Sequence, residues 1–278
     1  MCYSSHHIKW LVDTGERLST VDGKEIEIWE FKHEDDDVIL SAWATHFRNH
    51  YCLDTEIETR RGKETRSEFL RNACFPSETE SFGSAIRAGD FGEILVADYL
   101  AYRLGYHVPR VRWMLKPTPN ESTKGSDVIG FQFADDTGCS PNDELFIIEV
   151  KTRFSQSGGN SLQNAIDDSS KDDIRLAESL NLIRQKSIDH KHIDDANQVI
   201  RFQNPVDQEY QIKYGASFLV DIEYFDKANI PSSNCERIRT SKGLISHPHR
   251  DSLALLVIRG DNMMKLVHEL YRRAADEA

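Results

Sequence analysis

Two hydrophobic rhythms run along the chain. Residues 25–31, EIEIWEF, alternate acidic and apolar side chains, the period of a half-exposed strand. Residues 36–48 instead space Val38, Ile39, Ala42, Trp43, His46 and Phe47 as one helical face, which places His46 at a core edge rather than on a metal. Residues 64–74 predict a second short helix that stops before Pro76. The polar stretch PSETES, 76–81, marks a boundary between an N-terminal α/β region, 1–80, and the remainder, 81–278. In AGDFGEILVADYLAYRL, 88–104, Phe91, Ile94, Leu95, Ala97 and Leu100 form a buried helix face with Asp98 turned away. Asp90 stands as an N-terminal cap with Glu93 three residues on, a capping-box spacing.

Downstream the period shortens again. HVPRVRWML, 107–115, reads as a strand whose start Pro109 confines to an edge. SDVIGFQF, 126–133, reads as a second strand, and the Asp-, Gly-, Pro- and Asn-rich loop 134–143 turns the chain back into a third, ELFIIEVKT, 144–152. Residues 172–186 predict a helix, 216–225 and 252–260 further strands, and NMMKLVHELYRRAA a closing amphipathic helix on Met263, Met264, Val267, Leu270 and Tyr271. The central order is therefore helix, three strands, helix, strand.

The third strand poses a chemical question. Leu145, Ile147, Glu149 and Lys151 share one of its faces; Phe146, Ile148 and Val150 share the other. Both faces begin apolar, as in a strand covered on both sides. An uncompensated ion there costs on the order of several kcal/mol, so Glu149 and Lys151 either pair with each other or line a cleft. Asp127, on the second strand, precedes Glu149 by 22 positions, room for a hairpin that sets the two carboxylates side by side. Two carboxylates and the Val150 carbonyl suit magnesium, which prefers hard oxygen ligands. Such an ion polarises a phosphate and acidifies water, and Lys151 beside it can stabilise charge growing on the phosphorane. The plainer possibility is a surface ion pair at a strand end, with Asp127 a turn residue.

Composition narrows the setting. Hydrophobic content of 39% beside 29% charged residues fits a globular chain, and no apolar run reaches membrane-spanning length. The N-terminus lacks a signal-peptide layout, which points to an intracellular protein. Five cysteines, at 2, 52, 74, 139 and 235, contain no C-x-x-C pair and read as reduced, mostly buried thiols. A net charge of -12 is unusual for a protein that grips DNA unaided, and suggests a partner that handles nucleic acid or presents a cationic surface. No phosphate-loop pattern surrounds Gly158-Gly159, so any ATP use falls to a partner. His247-Pro248-His249 spaces two histidines poorly for a shared metal.

The D…E-x-K set, carried on the second and third strands of this element order, resembles the PD-(D/E)xK nuclease superfamily over residues 85–225, with Ser126 where the family pattern has proline. Many members bring a glutamate from the helix before the first strand to the metal, the place Glu93 holds here. Lys116 and Lys124 are candidates for phosphate contacts, and Gln163 and Lys171 for positions near the scissile phosphate. The segments HFRNHYCLD, RSEFLRNACFP, GDFGEILVADYL, STKGSDVIGFQF and FIIEVKTR are, more closely, similar to the HamA nuclease family of the Hachiman anti-phage system. That resemblance implies an α/β, restriction-endonuclease-like core, a mixed central sheet flanked by helices, with an N-terminal α/β extension. It implies a bacterial, cytoplasmic DNase dependent on Mg2+ or Mn2+, with no membrane association. It also implies a heterodimer with a superfamily 2 helicase, HamB, which restrains the nuclease until DNA damage or invading DNA is sensed. Carried over, the catalytic positions are Asp127, Glu149, Lys151 and Glu93, with Asp127, Glu149, Glu93 and Val150 holding the metal. Residues up to 80 and the last helix are the candidate partner footprint. A nuclease-like fold kept as a binding or regulatory module is the alternative.

Overall fold

A computed structural model describes residues 5–80, 82–114, 116, 118–135, 138–155, 159–241 and 243–278. In chain order the elements are β1 (Leu11–Ser19), β2 (Glu25–Phe31), α1 (Asp37–Arg48), α2 (Asp54–Arg60), α3 (Arg66–Phe69, continuing as a π-turn to Cys74) and α4 (Gly83–Tyr102). Then come β3 (Val128–Gln132), β4 (Glu144–Arg153), α5 (Ser161–Ser169), α6 (Asp172–Asp189), α7 (Ile193–Ile200) and β5 (Gln211–Asp221). A small ribbon of β6 (Ile238–Thr240) and β7 (Gly243–Ile245) precedes β8 (Leu253–Gly260) and α8 (Met263–Asp276).

The six-stranded mixed sheet runs β1-β2-β8-β5-β4-β3. Its centre, β2, β8, β5 and β4, is parallel, and the two flanking pairings are antiparallel. Parallel strands need cover on both faces, and the side chains of β4 show it. Phe146, Ile148 and Val150 enter a core with α1, α4 and α8, while Leu145 and Ile147 enter the opposite core with α5, α6 and α7. Glu149 and Lys151, in phase with Leu145 and Ile147, therefore face the α5–α6 side. The N-terminal strands join this same sheet through the β2–β8 pairing.

Local chemistry starts the helices. Asp36 caps α1 by accepting from the Val38 and Ile39 amides, both at 3.1 Å, and Thr65 and Glu68 form a capping box on α3. The expected capping role of Asp90 is not observed: α4 begins at Gly83, so Asp90 and Glu93 lie within the helix. Gly92 lets α4 rest directly on β4, since a Cβ there would sit 2.3 Å from Thr152 Cγ2.

The first of the three predicted core strands does not form. His107 makes one bridge to Phe131, and the described part of 108–116 is turn and irregular chain, with Leu115 outside the described residues. The segment instead lays three cations along α4. Arg110 meets Asp98 at 2.6 Å, Arg112 meets Glu93 at 2.9 Å, and Lys116 meets Asp90 at 2.5 Å. The apolar–basic alternation that mimics a strand serves to pair a helix whose acids are buried. It also corrects Asp98, which is fully buried rather than turned away, and Lys116, which is paired with buried Asp90 rather than free for a phosphate. Val38, by contrast, is exposed.

Candidate active site

β3 and β4 pair antiparallel with Val128 opposite Ile148, which sets Asp127 beside Glu149 where β3 begins. Asp127 accepts from the Val150 amide at 2.9 Å through Oδ2 and from Arg112 Nη2 at 2.9 Å through Oδ1. A strand residue sends its N–H and C=O to the same side. The Val150 carbonyl therefore leaves β4 toward Asp127, past the end of β3. Glu93, from α4, is held by Arg112 Nε at 2.9 Å and Trp113 Nε1 at 3.1 Å. Lys151 Nζ lies 2.7 Å from Glu149 Oε1 and 2.8 Å from Asp168 Oδ2 on α5. The other Glu149 oxygen, Oε2, is buried without a hydrogen-bond partner, with Arg175 of α6 at 3.8 Å.

Glu93, Asp127, Glu149, Val150, Lys151 and Asp168 line one cleft of about 610 Å3, with Lys124, Gly125 and Arg175 at its wall. Lys124 is exposed there, while Lys171 is drawn to Asp168 and the Gln163 side chain to Asp167 and the Asn234 carbonyl. The four candidate residues Glu93, Asp127, Glu149 and Lys151 thus meet, whereas Lys116 and Gln163 serve structural pairs. Arg112, Asp168 and Arg175 carry no motif and are not singled out in the sequence.

The electrostatics favour a cation. Burial first, then the Glu93 and Glu149 charges, push the Asp127 carboxyl well above the usual carboxylate range. Asp172, buried behind this group, is pushed up to about 7 by burial and by Glu149. Burial works against a charged Lys151, but Glu149 and Asp168 outweigh it and hold the ammonium above its ordinary value. The buried Glu149 Oε2 and the crowded carboxylates match what a hard divalent ion would satisfy.

A second acidic centre sits further along α4. Among the described residues, His7, His46 and Asp98 alone bring three ligand-type atoms within 4.8 Å of one another. Asp98 accepts from His7 Nε2 at 2.8 Å, from His46 Nε2 at 3.0 Å and from Arg110 Nη1 at 2.6 Å. Burial opposes its charge, but His46, Arg110 and His7 together hold the carboxyl well below its usual range. Facing an ionised carboxylate, both imidazoles donate through Nε2, and Arg110 brings a guanidinium to Asp98 Oδ1. The cleft carboxylates are spaced more widely, with the Arg112 guanidinium between Glu93 and Asp127.

Among the described residues no helix is long and apolar enough to cross a membrane. The described cysteines are free thiols, Cys52, Cys74 and Cys235 buried and Cys139 exposed. Comparison with protein families gives a match to the family model described as HamA over residues 5–274. No curated protein matches the chain.

Proposed function

Since the chain belongs to the HamA family, and is thereby a component of a Hachiman anti-phage defence system, we propose that it is the system's metal-dependent DNA nuclease. The sheet order and the carboxylates at the β3–β4 junction are read as a PD-(D/E)xK core. The observation that carries the reading is the convergence of Glu93, Asp127, Glu149 and Lys151 on one open cleft.

Asp127, Glu149 and the Val150 carbonyl would hold Mg2+ or Mn2+, with Glu93 beside them. When bound, the ion supplies Lewis-acid polarisation of the scissile phosphate and a more acidic water. Lys151, kept cationic by Glu149 and Asp168, donates to a phosphate oxygen and stabilises the charge developing there. Lys124 and Arg175 on the cleft wall contact flanking phosphates. The net charge of -12 works against unaided DNA capture. That supports a partner that delivers the DNA, which the family likeness makes a helicase that restrains cutting in the bacterial cytoplasm.

The test is plasmid cleavage in Mg2+ or Mn2+ by the chain with its co-purifying partner, against Asp127→Asn and Lys151→Ala. The expected outcome is a loss of about a hundredfold or more in each variant. Equal cleavage by Lys151→Ala overturns the assignment, and metal-free, cleavage-free protein in every preparation favours a regulatory module.

A further inference from the structure

Arg112 bridges two of the candidate metal-holding carboxylates from outside the cleft lining. Its side chain is 11% exposed, and its three nitrogens all donate. Nε reaches Glu93 at 2.9 Å, and Nη2 reaches Asp127 at 2.9 Å and the Thr123 carbonyl at 3.1 Å. Nη1 reaches the Ser126 carbonyl at 2.5 Å and the Lys124 carbonyl at 3.4 Å. A guanidinium tied to three carbonyls of the 123–126 loop is fixed by that loop and does not depend on the carboxylates for its place.

Resting on the nuclease reading of this site, we propose that Arg112 is a positioning residue that acts as a resident counter-cation. It orients Glu93 and Asp127, keeps the carboxylates together without metal, and by its charge makes the divalent ion bind weakly. A fixed positive charge a few ångströms from an incoming cation opposes it by an amount worth about tenfold or more in affinity, even at protein-like dielectric. Metal is thereby held tightly only when DNA phosphates add ligands and negative charge, and weakly, at high concentration, without them, so loading of the ion and of the substrate are coupled.

The experiment is Mn2+ binding by isothermal titration calorimetry on the full chain without DNA, for wild type, Arg112→Gln and Arg112→Lys. Gln keeps a donor for the loop carbonyls and loses the charge; Lys keeps the charge and loses the fork. The expected result is about tenfold tighter binding in Arg112→Gln, with Arg112→Lys within about threefold of wild type. Equal or weaker binding by Arg112→Gln, or equal tightening in both variants, overturns the proposal while leaving the nuclease reading intact. Absence of binding in all three, and in an Asp127→Asn control, overturns both. Should Arg112→Gln fail to fold in EDTA, recovery by Mn2+ and not by NaCl of matched ionic strength supports the counter-cation, and no recovery overturns it.

Discussion

Asp98→Asn is the sharpest perturbation of the scaffold behind the cleft. Asp98 is fully buried and accepts from three donors on separate segments, His7 at 2.8 Å, His46 at 3.0 Å and Arg110 at 2.6 Å. The substitution keeps the shape, removes the charge and replaces one accepting oxygen with a donor. It leaves a guanidinium 7% exposed with its main counter-charge gone, and breaking a buried ion pair from one side costs about 3–5 kcal/mol. Against a typical total of about 5–15 kcal/mol this is a large share, worth roughly 10 °C in melting temperature for a chain of this size. Urea unfolding followed by tryptophan emission reads it directly, because Trp43 stacks on His7 at 4.6 Å and Trp113 meets His50 edge-on at 5.3 Å. The deficit persists at pH 5, since the carboxylate is held well below its usual range and stays ionised there. Asp98→Asn with Arg110→Met removes both charges and recovers more than half of the loss. A single variant within about 1 kcal/mol of wild type would refute the view that buried ion pairs lock the 107–116 segment onto α4.

Two further outcomes follow from particular contacts. Gly92→Ala drives a methyl into Thr152 at 2.3 Å, so it lifts α4 from β4 and displaces Glu93. Thermal unfolding should show a loss of about 1–3 kcal/mol and Mn2+ titration a weakened site. His247, buried, accepts from the His249 amide at Nδ1 and pairs with Ser169 through Nε2, and burial pushes its pKa down from 6.5 to about 4. A depressed histidine contributes stability that is present above its ordinary pKa and lost as the pH falls from about 6.5 to 4, here about 2 kcal/mol. His247→Gln should flatten that part of the stability–pH curve, and an unchanged acid limb argues against the assignment.

The parts legible in the sequence are those where one physical demand dominates. β2 matches its alternating reading residue for residue, Glu25–Phe31, because one face must be apolar at period two, and β4 ends one residue beyond its predicted limit because a strand covered on both faces reads as a continuous apolar run. Asp127, Glu149 and Lys151 could be placed together because a hairpin and an i,i+2 spacing fix their sides. The segment 107–116 misled because alternation of apolar and basic residues serves equally to pair a helix. The acid Asp98 reads as an exposed position until His7, His46 and Arg110, distant in sequence, are seen to surround it. α5 and α7 escaped notice because their stretches, SLQNAIDDS and IDDANQVI, are short, each too brief for its helical period to stand out. Asp168 and Arg175 reach the cleft only through the packing of α5 and α6 over β4.

The most direct measurement is the anomalous diffraction of Mn2+ soaked into crystals of the chain. The account predicts one dominant peak about 2.0–2.3 Å from carboxylate oxygens of Asp127 and Glu149, lost in Asp127→Asn. A peak at His7, His46 and Asp98 instead, or none in the cleft at saturating Mn2+, would contradict it.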